Sequence, residues 1–243
     1  MMRGMTPSTA LVTGATGGIG LQIGRQFAEL GWTVLFGARD EARGAQIAAE
    51  YGGRPLLLDV TDADTIARAA ATVVELDVLV NNAGISLDTG TPVTETDPAV
   101  FRRTYETNVF GVVAVTNAFL PALRRSAHPR IVNVSSGTGS LTWSTGPNPQ
   151  FDYRRAGTGS GAAYRSSKTA LDALTVFYAQ ALADDGFKVN ALAPGLRATN
   201  LNRQAAAGGD PAEAAAAAVR LALVGDDGPT GRLFSWDGTV VPW

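Results

Sequence analysis

The chain has 243 residues, 45% of them hydrophobic and 17% charged, a composition that fits a globular domain with a sizeable core. A net charge of −2 gives no electrostatic reason to expect nucleic acid or an anionic membrane as partner. There is no cysteine, which excludes thiol nucleophiles and disulfides, and the lone histidine, His128, rules out an ordinary Ser-His-Asp triad or a multi-histidine metal site.

Short apolar segments alternate with helical patterns along the chain. Thr9 to Thr13 reads as a first strand, followed by glycines and a helix from Ile19 to Leu30. Thr33 to Gly37 is a second strand, with a helix from about Asp40 to Tyr51. Pro55 to Leu58 and Asp77 to Val80 are further strands, separated by a helix from Ala63 to Val74. One long helix is expected over Pro98 to Arg125, then a strand over Arg130 to Val134. A second long helix spans Ala163 to Ala183, and Lys188 to Leu192 is the sixth strand. The alanine run Ala214 to Ala218 follows Asp210 as a cap and Pro211 in the first turn, a plain helix start. The strands are short and rich in β-branched residues, as buried parallel strands are. The alternation predicts one α/β domain, a Rossmann-type doubly wound parallel sheet with helices on both faces. No apolar run reaches the length of a membrane span, and the N-terminal segment lacks the apolar centre of a signal peptide, so a cytoplasmic location is expected.

Two stretches break the rhythm, Gly137 to Gly161 and Asn200 to Gly209. Both follow strands and so hang over the carboxyl edge of the sheet, where ligands bind in such folds. Trp143, Phe151 and Tyr153 lie in the first; they either line a pocket or pack the segment onto the body.

The chemistry concentrates in two places. T-G-A-T-G-G-I-G, from Thr13 to Gly20, joins the first strand to the first helix. Gly14 permits a tight turn, while Gly18 and Gly20 let backbone approach a pyrophosphate facing the helix N-terminus. At the end of the second strand Ala38 stands where an NAD binder usually places an acid, with Arg39 next and Arg43 four residues on. Those guanidiniums either clamp a 2′-phosphate, which implies NADPH/NADP+, or are solvated residues of a helix capped by Asp40. The second place is A-Y-R-S-S-K. Tyr164 and Lys168, one of only two lysines, are four residues apart and share a helix face. A phenol beside an ammonium is a proton donor whose anion is stabilised. Such a pair next to a nucleotide loop points to acid–base chemistry on a small substrate.

With these residues in view, the chain resembles a short-chain dehydrogenase/reductase over nearly its whole length. The motifs are T-G-A-T-G-G-I-G, N-N-A-G at Asn81 to Gly84, I-V-N-V-S-S at Ile131 to Ser136, Y-R-S-S-K and P-G-L-R-A-T at Pro194 to Thr199, in the family's order. The A-R-D-E-A-R-G stretch, the ending and the long segment before Tyr164 are similar to the NADPH-dependent carbonyl-reductase branch. The resemblance implies reduction of a ketone or aldehyde, with the reverse alcohol oxidation, or a non-catalytic NADP-binding role, as alternatives on the same residues. It implies that Ser136, rather than Ser135, holds the carbonyl and Tyr164 gives the proton. Lys168 would bind the nicotinamide ribose and lower the tyrosine's pKa, and Asn108 would anchor a water leading to solvent. For the cofactor it implies Thr16 and Ile19 alongside the glycines, Asp59 and Val60 at the adenine, Asn81 near the adenosine ribose while also stabilising the sheet, and Ala83 and Gly84 beside it. Pro194, Gly195 and Thr199 complete that set. The insertion at 137–161 is expected to shape the substrate pocket, with a surface cover as the alternative, and in the carbonyl-reductase branch such an insertion goes with monomers.

Overall fold

The computed structural model describes residues 7–148, 159–202 and 205–243. Eight strands form one sheet: β1 (Thr9–Thr13), β2 (Thr33–Ala38), β3 (Arg54–Leu57), β4 (Val78–Asn81), β5 (Arg130–Val134), β6 (Lys188–Ala193), β7 (Leu233–Ser235) and β8 (Val240–Val241). Their order is β3-β2-β1-β4-β5-β6-β7-β8, and only the β7–β8 pair is antiparallel. The chain works outward from β1 through β2 to β3, then crosses back so that β4 pairs with the other side of β1. The loops after β1 and β4 therefore diverge and leave a crevice at their carboxyl ends.

Among the described residues eight α-helices cover the sheet: α1 (Gly18–Glu29), α2 (Glu41–Tyr51), α3 (Ala63–Thr72), α4 (Pro98–Tyr105), α5 (Gly111–Leu123), α6 (Leu141–Thr145), α7 (Ala162–Ala181) and α8 (Pro211–Ala222). Because both sheet faces are covered, the strands are buried on both sides and read as continuous apolar runs. One core layer brings Ile23 and Phe27 of α1 and Ala215 and Ala218 of α8 against Val12 and Phe36. The alanine run of α8 serves that contact, since small side chains let its axis approach α1. The opposite layer packs Ile66, Val115, Phe119 and Ala179 from α3, α5 and α7 under Leu11 and Ile131. Among the described residues no helix is long and apolar enough to cross a membrane.

Three features depart from the sequence expectation. β7 and β8 span three and two residues, too few to show a period. The single helix expected over 98–125 is two helices joined by a π-helical turn, Glu106–Phe110. Such a turn inserts a residue without breaking the helix and re-aims side chains, often at functional sites; here it buries Asn108 completely. Within the stretch read as loop, Ser140 caps the short α6 by accepting from the Trp143 amide at 3.1 Å. Trp143 is buried against Ala191, Ala193, Leu233 and Val241, so it anchors this segment to the sheet and does not line a pocket. Phe151 and Tyr153 lie outside the described residues.

The sheet has two edges. β3 carries Arg54 and Pro55 at one, and β8 is followed by Pro242 at the other. The final residues are tied inward: Ser140 Oγ donates to Pro242 O at 2.5 Å, and the Thr142 amide donates to Trp243 O at 3.0 Å.

Candidate active site

The crevice begins with the glycine loop. Gly14 has φ +63°, a left-handed conformation that favours glycine. A Cβ at Gly20 would fall 2.3 Å from Asn82 Nδ2 and 2.6 Å from Gly14 O, so only glycine lets α1 start this close to the loop after β4. Gly17, which precedes α1, gives no side-chain cap, and the first turn holds no acid. The N–H groups at that helix end are thus left to an anion. This cradle opens into a cleft of about 540 Å³, within the usual size for small-molecule and cofactor sites.

Gly14, Thr16, Gly18, Ile19 and Gly20 form one wall of the cleft. Arg39, Asp59 and Val60 stand at the end formed by β2 and β3. Asp59 accepts from the Thr61 amide at 2.9 Å and the Thr61 hydroxyl at 2.8 Å, which fixes its carboxylate at the rim. Ala83 and Gly84 line the middle, and Pro194 and Thr199 overhang the glycine loop. Tyr164 and Lys168 close the far end.

Three residues expected at the cofactor are placed elsewhere. Asn81 is buried beneath the cleft, donating through Nδ2 to Asn133 Oδ1 at 2.9 Å and Thr116 Oγ1 at 3.1 Å. Strand side chains alternate between faces, and at the end of β4 it is Asn82 that reaches the cleft. Asn82 Nδ2 donates to Thr13 O at 2.9 Å and Gly14 O at 3.2 Å, tying the two divergent loops together. Arg43 does not line the cleft; its guanidinium donates to Gln46 Oε1 at 2.7 Å along the exposed side of α2. Its amide donates to the capping Asp40 at 3.0 Å. Gly195, with φ +70°, turns the chain against Trp236 behind the cleft. Besides Asn82, the sequence reading missed Gly17, Leu58, Thr61, Ile85, Thr107, Val134, Asn200 and Leu201 as lining residues, and of the two serines after β5 it is Ser135, not Ser136, that lines the cleft. Most of these only adjoin residues already singled out, Thr61 near Asp59, Ile85 after N-N-A-G and Thr107 before Asn108, while Asn200 and Leu201 open the stretch expected over the carboxyl edge.

The reactive end is built on β5 and the first two turns of α7. Lys168 is buried, and its Nζ donates to Val134 O at 2.8 Å and lies 5.7 Å from the Tyr164 ring centroid. The two serines after β5 have opposite surroundings. Ser135 is buried and donates to Asp172 Oδ1 at 2.5 Å and Lys168 O at 3.3 Å. Ser136 is half-buried, shares a 2.9 Å hydrogen bond with the Thr138 hydroxyl and stands close enough to Tyr164 to pull the phenol's pKa down. Asn108 accepts from the Ile85 amide and donates to Ile85 O, both at 2.9 Å, and donates to Ser167 Oγ at 2.9 Å.

Burial dominates the electrostatics here. It pushes the Tyr164 phenol up to about 12, with the Ser136 hydroxyl pulling back and the Asp172 charge pushing further. Burial pulls Lys168 down to about 8, opposed by Asp172 one turn along α7. Asp172 itself is pushed up to about 7 by burial, against the Ser135 hydrogen bond and the Lys168 charge. Tyr164 is therefore protonated at neutral pH, and without a bound dinucleotide its burial sets the direction of the shift.

Known proteins share this organisation. The family model described as short chain dehydrogenase matches residues 8–148. Salutaridine reductase from Papaver bracteatum is 31% identical, covering 93% of each chain. Among solved structures, ElxO with NADP bound superposes with a TM-score of 0.79 at 29% identity, covering 95% of this chain and 97% of that one. A 3-oxoacyl-[acyl-carrier protein] reductase from Brucella melitensis with bound NAD gives a TM-score of 0.78 at 29% identity, over 95% of this chain and 90% of that one. The sheet order, the glycine cradle and the Tyr164–Lys168 helix, together with these matches, place the chain in the short-chain dehydrogenase/reductase family of oxidoreductases.

Proposed function

We propose that this protein reduces a ketone or aldehyde to an alcohol with NADPH as hydride donor. The observation that carries this reading is the pairing of Tyr164 with Lys168, 5.7 Å from the ring centroid, closing the far end of a cleft that begins with a glycine cradle, with Ser136 close enough to act on the phenol. When bound, the nicotinamide dinucleotide supplies the hydride. Gly14, Gly18, Gly20 and the N-terminus of α1 fit its pyrophosphate, and Lys168 fits a ribose hydroxyl. Arg39, at the end of the cleft without an acid at Ala38, fits a 2′-phosphate. The NADP-bound ElxO supports that preference, while the NAD-bound reductase makes it a matter for measurement.

The chain's own residues account for the proton chemistry. As charge develops on the carbonyl oxygen, the Ser136 and Tyr164 hydroxyls stabilise it. Tyr164 O–H then donates its proton to that oxygen, the positioned general acid of the reduction. The test is a panel of carbonyl compounds followed by loss of NADPH absorbance, with wild type and Tyr164→Phe. Turnover by wild type and a fall of at least ~10²-fold in kcat for the variant, with NADPH binding retained, is the expected outcome. Near-wild-type kcat in Tyr164→Phe removes Tyr164 as the donor.

A further inference from the structure

Tyr164 occupies an exposed kind of position for a group that must be held accurately. It is the third residue of α7, a helix of 20 residues whose sequence supplies no stop for its own N-terminus. Gly161 stands at the cap with φ +74°, gives no side-chain hydrogen bond, and no acid follows in the first turn. The first-turn amides of a helix have no partner within the helix, and that turn is where helices fray. A reactive side chain there needs an outside anchor, because productive geometry tolerates errors of only about 0.5 Å.

The anchor comes from the loop after β4. Asp88 is exposed by only 2%, although nothing in the cleft chemistry uses it. Its Oδ2 accepts from the Ala163 amide at 2.7 Å, and its Oδ1 accepts from the Tyr164 amide at 3.4 Å. A carboxylate facing the positive end of a helix is favourable, and here it is delivered from 75 residues away in sequence. The same loop is fastened a second time, since the Gly90 amide donates to Ser160 Oγ at 2.8 Å. Its other end is held by Asn108, which grips the Ile85 backbone on both sides. Asn108 also donates to Ser167 Oγ, which in turn donates to Tyr164 O at 2.6 Å. The peptide groups of Tyr164 are thus fixed at the nitrogen by Asp88 and at the carbonyl by Ser167.

We propose that Asp88 is a positioning residue for the proton donor: it caps α7 from the loop after β4 and so sets where the Tyr164 hydroxyl meets Ser136 and the substrate oxygen. This rests on the reading of Tyr164 as the donor. It also gives the loop after N-N-A-G a task apart from the cleft wall formed by Ile85.

The experiment compares Asp88→Ala, Asp88→Ser and Asp88→Asn with wild type. Asparagine keeps an acceptor oxygen at the same reach, serine falls short of Ala163, and alanine has none. Alanine and serine should lower kcat about ten- to a hundred-fold, the range expected for a misplacement of about 1 Å. KM and NADPH affinity should stay within about twofold, and asparagine should restore kcat to within about threefold of wild type. If the alanine protein does not fold, the serine protein carries the same expectation. A second readout needs no substrate: the ultraviolet difference titration of each protein against its Tyr164→Phe counterpart. Tyr164, pushed up to about 12 by burial, should move down toward the ordinary tyrosine range when Asp88 is lost, because a loosened first turn exposes the ring. Unchanged kcat, a loss of kcat matched by equal losses of substrate and cofactor affinity, or an unmoved titration overturns the proposal. If wild type turns over no carbonyl but the titration still moves, the reductase reading falls and the positioning role stands.

Discussion

Ser135 and Ser136 are neighbours whose replacement should separate stability from activity. In Ser135→Ala the 2.5 Å hydrogen bond to Asp172 Oδ1 is lost, while Asp172 Oδ2 already has no protein partner. A buried polar group left in that condition costs about 1–3 kcal/mol. The cost should depend on pH, with a definite sign. Asp172 titrates near 7 in the folded protein against an ordinary value of 3.8, so the folded state holds this proton more tightly than the unfolded chain. Its contribution to stability is fully present below about pH 4 and is lost as pH rises through about 7. The Ser135 hydrogen bond lowers that folded value, so its removal raises the value further and extends the loss to higher pH. A bond to a charged acceptor is worth about 1.5–3 kcal/mol, equivalent to about one to two pKa units. Relative to wild type, Ser135→Ala should therefore be destabilised by about 1 kcal/mol near pH 5 and by about 3 kcal/mol near pH 9, read from urea unfolding. Its kcat should stay within about threefold. Ser136→Ala should do the opposite, losing about 10²-fold in kcat, the loss typical of one donor to a developing oxyanion, with under about 1 kcal/mol of stability change. Equal destabilisation of Ser135→Ala at both pH values, or a larger kcat loss there than in Ser136→Ala, would refute this account of the two hydroxyls.

Arg39→Ala should reduce kcat/KM for NADPH about ten- to a hundred-fold while leaving NADH use within about threefold, because a charge-assisted contact to the 2′-phosphate is removed. Arg43→Ala should change neither by more than about threefold, since that guanidinium is engaged with Gln46; steady-state kinetics with both cofactors checks the pair. Gly20→Ala should weaken NADPH binding by at least ~10-fold in a fluorescence titration, because its Cβ would displace Asn82 from the glycine loop. Lys168→Arg should keep the charge and still lose most turnover, since a planar fork cannot occupy the site of a compact ammonium. Light scattering at micromolar concentration should give a monomer, as the long insertion at 137–161 suggests; a stable dimer through α7 would overturn that reading.

The sequence made the sheet, the glycine cradle and the Tyr164–Lys168 pair legible because each is a local signal: a periodicity, a turn requirement, a four-residue spacing. The choice between Asn81 and Asn82 was not legible, because both stand in one motif and only the pleat decides which faces the cleft. Arg43 looked equivalent to Arg39 because the sequence does not show that its guanidinium turns along α2 to Gln46. The π-helical turn has no composition of its own, yet it is what buries Asn108. Trp143 could line or pack, and part of the surface that receives it, from β7 and β8, was hidden in strands too short to detect. Asp88 and Asp172 were invisible as single acids in a loop and a helix; their partners are 75 and 37 residues away.

The two ends of the sheet bear on how this molecule behaves at high concentration. An unprotected outer strand offers a row of free amides and carbonyls to which another molecule can add its own strand. Here one outer strand presents a charged arginine followed by a residue with no amide to give, Arg54 and Pro55. The other outer strand is two residues long, and the chain beyond it runs through Pro242 back onto Ser140 and Thr142. Neither margin can seed a continuous intermolecular ladder. Stickiness in concentrated solution would therefore have to arise from apolar side chains on the outer helix faces, such as the half-exposed Phe110 and Phe177, and polar substitutions there are the place to improve solubility.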